Sequence, residues 1–382
     1  MAKYKLGEIC EIVSGSTPKT GIAEYWDGNL KWITPAEIDD ESYIITDSAR
    51  KLTELGVKKT GLSSFPSGTV ILSSRAPIGK VAIAGCEMYC NQGFKNLICS
   101  DRINNRYLYW FLKGNTAYLN SLGRGATFKE ISKKIVSDIE INVPEISQQL
   151  AAVDALERVS EIIRLRKNQL QKLDELIKAR FVEMFGDCKS RVSMNELCSI
   201  ITDGTHQPPR FQESGIPFIF VSNLVGNVVT YNAEKFISED TYAELYKRTP
   251  IEIGDLLLST VGSYGHPAVV TEDRKFLFQR HIAYLKPRHN MVNSFYLHSA
   301  LLAPDGQRQI EEKVKGIAQK TLNLSEIKKI VVPLPTIEEQ NQFEKFVSQT
   351  DKSKLQVPSG NALCIRYPIF YRNNIFERSI KC

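Results

Sequence analysis

No stretch of the 382 residues holds the run of about 18 to 20 apolar side chains that a membrane-spanning helix needs. The opening residues, MAKYKLGEIC, lack the apolar core of an export signal. The eight cysteines are scattered, and the closest-spaced pair, Cys86 and Cys90, has no matching pair elsewhere. Neither a zinc site nor a disulfide framework is read from that pattern, and reduced thiols in a cytoplasm are expected. The five histidines form no His-Glu-x-x-His. There is no G-x-x-x-x-G-K-[ST] loop and no G-x-G-x-x-G after a strand, so no nucleotide site is expected in this chain. No Asn/Asp-Pro-Pro-aromatic tetrapeptide of the kind amino-methyltransferases use is present. Glu311-Glu312-Lys313 has the E-x-K form of nuclease sites, but it falls in a polar helical stretch and is expected to be a solvated face. These absences favour a binding or scaffolding protein over an enzyme. The net charge of +6 permits nucleic-acid binding without demonstrating it.

What the chain does have is one long helical stretch and a repeat. Residues 145–185 contain neither Gly nor Pro, with Pro144 before them and Gly186 after. Within them Leu156, Ile163, Leu170, Ile177 and Met184 recur at heptad spacing, and Val153, Val159, Leu173 and Phe181 fill the same face. Such a seam buries itself against a second helix. At 1.5 Å per residue the helix is about 60 Å long, too long for the inside of one ordinary domain.

On either side the chain repeats itself with a period of roughly 190 residues. Glu8–Val13 returns as Glu196–Ile201, and Leu30–Ile33 as Ile216–Ile219. Gly68–Ser74 returns as Gly254–Thr260, Gly79 as Gly265, and Gln92 is paired with Gln279. Val143-Pro144-Glu145-Ile146 with Gln149 returns as Leu334-Pro335-Thr336-Ile337 with Gln340. Each half therefore reads as a mixed α/β domain followed by a helix. Strands are expected at 70–73, 80–84 and 97–99, with a helix over 107–122. In the second half a strand and turn are expected at 251–258, and helices over 295–302 and 336–356. Trp32, Phe94, Phe218, Cys10 and Cys198 are expected in the cores.

Three polar, glycine-containing segments recur in register. They are 15–19 with 203–207, 73–80 with 259–266, and 91–95 with 278–281. Small residues let a backbone approach a ligand closely. Arg, Lys, Asn and Gln can read base edges, while Ser, Thr and Lys hold phosphates. Any one segment alone is an ordinary turn between strands. Three repeated in both halves suit a polymer ligand with two sub-sites.

The chain resembles the specificity subunit of type I restriction–modification enzymes. The resemblance is carried by Gly15-Ser16-Thr17-Pro18, Trp32–Ile38, Ser73–Gly79, Asn91–Phe94, and the helix openings Val143–Gln149 and Pro333–Gln340. It implies an α/β architecture of two target recognition domains in tandem, 1–143 and 187–334. A long helix, 144–186, separates them as spacer and dock, and forms an antiparallel coiled pair with a shorter distal helix, 335–356. Each domain would bind half of an interrupted, asymmetric double-stranded DNA target. Two modification (methyltransferase) subunits would dock on the helices, with restriction (translocase/nuclease) subunits outside. S-adenosylmethionine, ATP and Mg would belong to those partners, and adenine methylation and cleavage to the complex. A cytoplasmic location is expected.

The candidate DNA-binding residues are Thr17, Lys19, Ser74, Arg75, Lys80, Gln92 and Lys95 in the first domain. Those in the second are Thr205, Gln207, Thr260, His266, Gln279, Arg280 and His281. Arg75 is the candidate for bidentate contact with guanine, and Lys80 for phosphate. Candidate docking residues are Leu156, Ile163, Leu170, Leu173, Ile177, Phe181, Phe343 and Phe346. Two other readings remain open: a homodimeric coiled-rod adaptor for protein or peptide, and the detached specificity half of a fused restriction–methyltransferase. The distal helix departs from the family pattern in being about half as long as the central one. Residues 357–382, with four Arg/Lys and one Glu, fit neither half. A less stable rod and weaker docking of one methyltransferase subunit are the expectation.

Overall fold

A computed structural model describes residues 2–75, 77–125, 129–316 and 319–355. The tail 357–382 lies outside the described residues. The chain divides into two compact units, with the division after Arg166 inside the central helix.

In the first unit the β-branched and leucine-rich runs form a five-stranded sheet. Its order is Cys10–Val13, Asn96–Cys99, Val70–Leu72, Val81–Ala84, Ile44–Ile45. Only the last pair is parallel. Val70, Ile71 and Leu72 are all fully buried, so both faces of this central strand are covered. A smaller sheet sets Trp26–Ile33 between Arg50–Leu52 and, in parallel, Tyr89–Cys90. Ala2–Lys5 pairs with Glu140–Val143 and ties the start of the unit to the strand that enters the central helix.

The second unit repeats this plan. Cys198–Asp203, Ile282–Pro287, Leu256–Ser259 and Pro267–Val269 form an antiparallel sheet. Ile216–Ile219 lies between Lys235–Ile237 and, again in parallel, Leu277–Phe278. Arg191–Ser193 pairs with Val331–Pro333. Trp32, Phe94 and Phe218 are buried, as are Cys10 and Cys198. Burial pushes the Cys198 thiol up to about 12, which keeps it protonated and inert.

The helix expected over 107–122 is two helices, Asn105–Gly114 and Thr116–Ser121. Buried Asn115 breaks it: its side-chain amide donates to the Phe111 carbonyl at 2.7 Å, just after Gly114. The counterpart helix, Ser294–Leu302, starts from the same kind of cap. Asn104 and Asn293 each accept two backbone N–H groups.

The central helix spans Ile146–Phe185 and the distal helix Ile337–Leu355, 40 and 19 residues. Within the second unit the two run antiparallel. The Phe343 ring meets Phe181 and Phe185 at 5.5 and 5.6 Å, and Lys354 Nζ lies 2.7 Å from Asp174. Each helix is anchored at its start by a buried glutamine. Gln149 accepts the Asn104 N–H and donates to Arg102 and Pro144 carbonyls; Gln340 does the same with Asn293, Met291 and Pro335.

Candidate nucleic-acid interface

The strand Val70–Leu72 leaves the first sheet into the loop 73–80. Ser73 closes that loop. Its N–H donates to the Lys80 carbonyl at 2.9 Å and its hydroxyl accepts the Lys80 N–H at 2.8 Å. Gly79, at φ +93°, donates back to the Ser73 carbonyl. The second unit reproduces the closure: Ser259 pairs with the His266 carbonyl, accepts the His266 N–H on its hydroxyl, and receives the N–H of Gly265, at φ +80°.

On this shared backbone the side chains differ. Arg75 is exposed and donates from Nε to Glu130 at 2.9 Å. Lys80 is half-buried, and its amine donates to the Pro35 carbonyl. Thr17 donates to the exposed Gln92 amide oxygen at 2.5 Å, and Lys19 is exposed. In the second unit the His266 ring contacts Asn227 at 3.0 Å, and burial lowers its pKa. Arg280 is exposed, and its Nε lies 3.3 Å from His281, whose pKa is lowered by burial and by that arginine. Gln279 and Thr205 are half-buried; Gln207 is exposed and lines a groove of about 540 Å³ with Thr205, Arg210 and Arg248.

Five candidates are placed differently from the expectation. Ser74 and Thr260 are enclosed where neighbouring segments hydrogen-bond both sides of their backbone: Ser74 with Gly93 and Ile131, Thr260 with His281 and Leu322. Lys95 is 7% exposed, its amine held between Ser74, the Phe94 carbonyl and Glu130. These three support the loops from beneath. Phe181 and Phe343 are buried in the second unit's own core and are not available to a partner. Leu156, Ile163, Leu170, Leu173, Ile177 and Phe346 are half-buried on the two helices. The larger exposed apolar side chains on the central helix include Ile162, Leu165, Leu176 and Val182.

The pairing of Gln92 with Gln279 is off by one residue. Asn91 donates to the Ile33 carbonyl as Gln279 does to Ile219, so Gln92 stands level with Arg280. A fourth matched segment is absent from the sequence reading. Arg124 and Glu130 exchange two backbone hydrogen bonds, as Lys315 and Thr321 do, and each closed loop lies against the strand exit at Arg75 or Val261. Its signal was a basic residue before glycine with lysine four positions on: Arg124-Gly125…Lys129 and Lys315-Gly316…Lys320.

The type I restriction modification DNA specificity domain matches residues 1–175 and again 192–359. The chain belongs to that family of type I restriction–modification specificity subunits. This makes it a specificity subunit rather than a catalytic one. It is 30% identical over 378 residues to the type I restriction enzyme MjaIX specificity subunit of Methanocaldococcus jannaschii, covering 90% of this chain and 87% of that one. With the EcoBI specificity subunit of Escherichia coli it shares 27% over 281 residues, 65% of this chain and 59% of the relative. Its fold matches the S subunit from M. genitalium, at TM-score 0.54 and 14% identity, covering 100% of this chain and 96% of that one. A chain solved in work on assembly and conformational transition of a type I system matches at TM-score 0.57 and 20% identity, over 99% and 96%. Two mixed α/β domains separated by a long helix are the fold of this specificity subunit. Among the described residues no helix is long and apolar enough to cross a membrane, and no cluster of three potential metal ligands occurs.

Proposed function

We propose that this specificity subunit reads an asymmetric, bipartite double-stranded DNA target, one half-site per domain. The observation that carries this is the duplicated loop closure at Ser73 and Ser259, which holds Arg75 and Lys80 in one unit and Val261 and His266 in the other. One backbone frame with different side chains suits two different half-sites. Arg75, Gln92 and Arg280 are the exposed candidates for base edges, and Lys19 for phosphate. The central helix, about 60 Å along its axis, serves as the ruler between half-sites. Its exposed Ile162, Leu165, Leu176 and Val182, with the half-buried seam, dock two methyltransferase subunits; restriction subunits join outside. S-adenosylmethionine, ATP and Mg are bound by those partners.

Co-expression with the neighbouring methyltransferase gene tests this. A co-purifying complex that binds duplex DNA with steep salt dependence is expected. A chain that purifies as a homodimer and ignores both methyltransferase and duplex contradicts it.

A further inference from the structure

The two units differ at the positions offered for base reading: Arg75 against Val261 and Gln92 against Arg280. In the fourth segment the chemistry is instead kept. The closing pairs Arg124–Glu130 and Lys315–Thr321 align Arg124 with Lys315, Gly125 with Gly316, and Lys129 with Lys320. Both glycines lie at positive φ, +128° and +103°. Each loop is stitched to the strand exit of its own unit, through Ile131 N–H to Ser74 and Leu322 N–H to Thr260, at 3.0 and 2.8 Å.

A domain that reads a sequence changes its reading residues with the sequence. The phosphates are the same in every duplex, so residues that hold them are free to stay the same. Core packing does not account for the retention, because Arg124, Lys129, Lys315 and Lys320 are not buried. Arg124 and Lys129 make no ion pair among the described residues. Lys320 pairs with Glu311 at 3.0 Å and Lys315 approaches Glu326 at 3.9 Å, with the lysines 53% and 71% exposed. Pairs that exposed are weak and exchange readily for a phosphate.

We propose that Arg124 with Lys129, and Lys315 with Lys320, are sequence-independent clamps on the DNA phosphates, one per domain, beside the base-reading loops. This rests on the DNA-recognition reading above and adds to it a division of labour. Retained basic residues set register, and divergent loops set sequence.

The test uses the full specificity subunit in its methyltransferase complex. The Lys129→Ala/Lys320→Ala variant is compared with Lys58→Ala/Lys59→Ala, which removes the same charge from an exposed helix end in the first unit. The first variant is expected to make the slope of log affinity against log salt shallower by about 2, equally on target and random duplexes. The control is expected to leave the slope unchanged, and Lys129→Arg/Lys320→Arg to restore it. An unchanged slope, an equal effect from the control, or a loss confined to the target sequence overturns the clamp while DNA recognition stands. A wild-type complex that binds no duplex removes both.

Discussion

At the scale of single residues, Glu130 organises the first interface. One oxygen takes the exposed Arg75 and the other the buried Lys95 amine. Glu130→Ala leaves that amine without its carboxylate, and a loss of about 1–3 kcal/mol is expected in chemical denaturation. His266 makes a pH-dependent contribution. Burial holds its folded-state pKa below the usual histidine value. The unfolded chain therefore binds the extra proton first, and stability falls as pH drops below about 6.5. His266→Gln is expected to flatten that part of the stability–pH curve; a curve identical to wild type counts against it. Lysine and serine in polar loops read naturally as surface groups, since a buried lysine is rare. Lys95 and Ser74 escaped that reading because composition does not show that the chain folds back over both faces of the strand exit. Arg75 and Gln92 carry the same polar signal and are exposed.

At the scale of elements, the two helices were legible and their anchoring was not. Heptad spacing and flanking Pro and Gly located Ile146–Phe185 to within a residue. The glutamines at 149 and 340 were visible as repeat marks, but two of the three bonds in each plug, one to a backbone N–H and one to a carbonyl, reach 45 to 49 residues back along the chain. Gln149→Ala leaves one N–H and two carbonyls without their partner, and about 2 kcal/mol or more is expected to be lost on denaturation. Gln340→Ala is expected to do the same to the second unit. Phe343→Ala empties the site against Phe181, Phe185 and Tyr296, with an expected loss of about 3–5 kcal/mol. Ile162→Asp is expected to leave melting unchanged but reduce recovery of the methyltransferase, since Ile162 is 50% exposed. Within the second unit the distal helix meets the central one between Asp174 and Phe185.

At the scale of the whole molecule, the repeat made the architecture legible. Segments matched by residue type, such as Trp32-Ile33 with Phe218-Ile219, occupy the same parallel bridges in their sheets. The fourth segment stayed hidden because its common element is a backbone closure plus charge, with Arg standing for Lys. Gln92 was misaligned because identity alone favoured Gln279, while the hydrogen-bond ladder sets it beside Arg280. The central claim is that one frame is used twice with different reading side chains. Mapping the methylated sites made by the complex tests it directly. A target of two unlike half-sites separated by a constant unspecified gap, altered in one half-site only by Arg75→Ala, is the expected result. A single uninterrupted palindrome, unaffected by that substitution, would contradict the account.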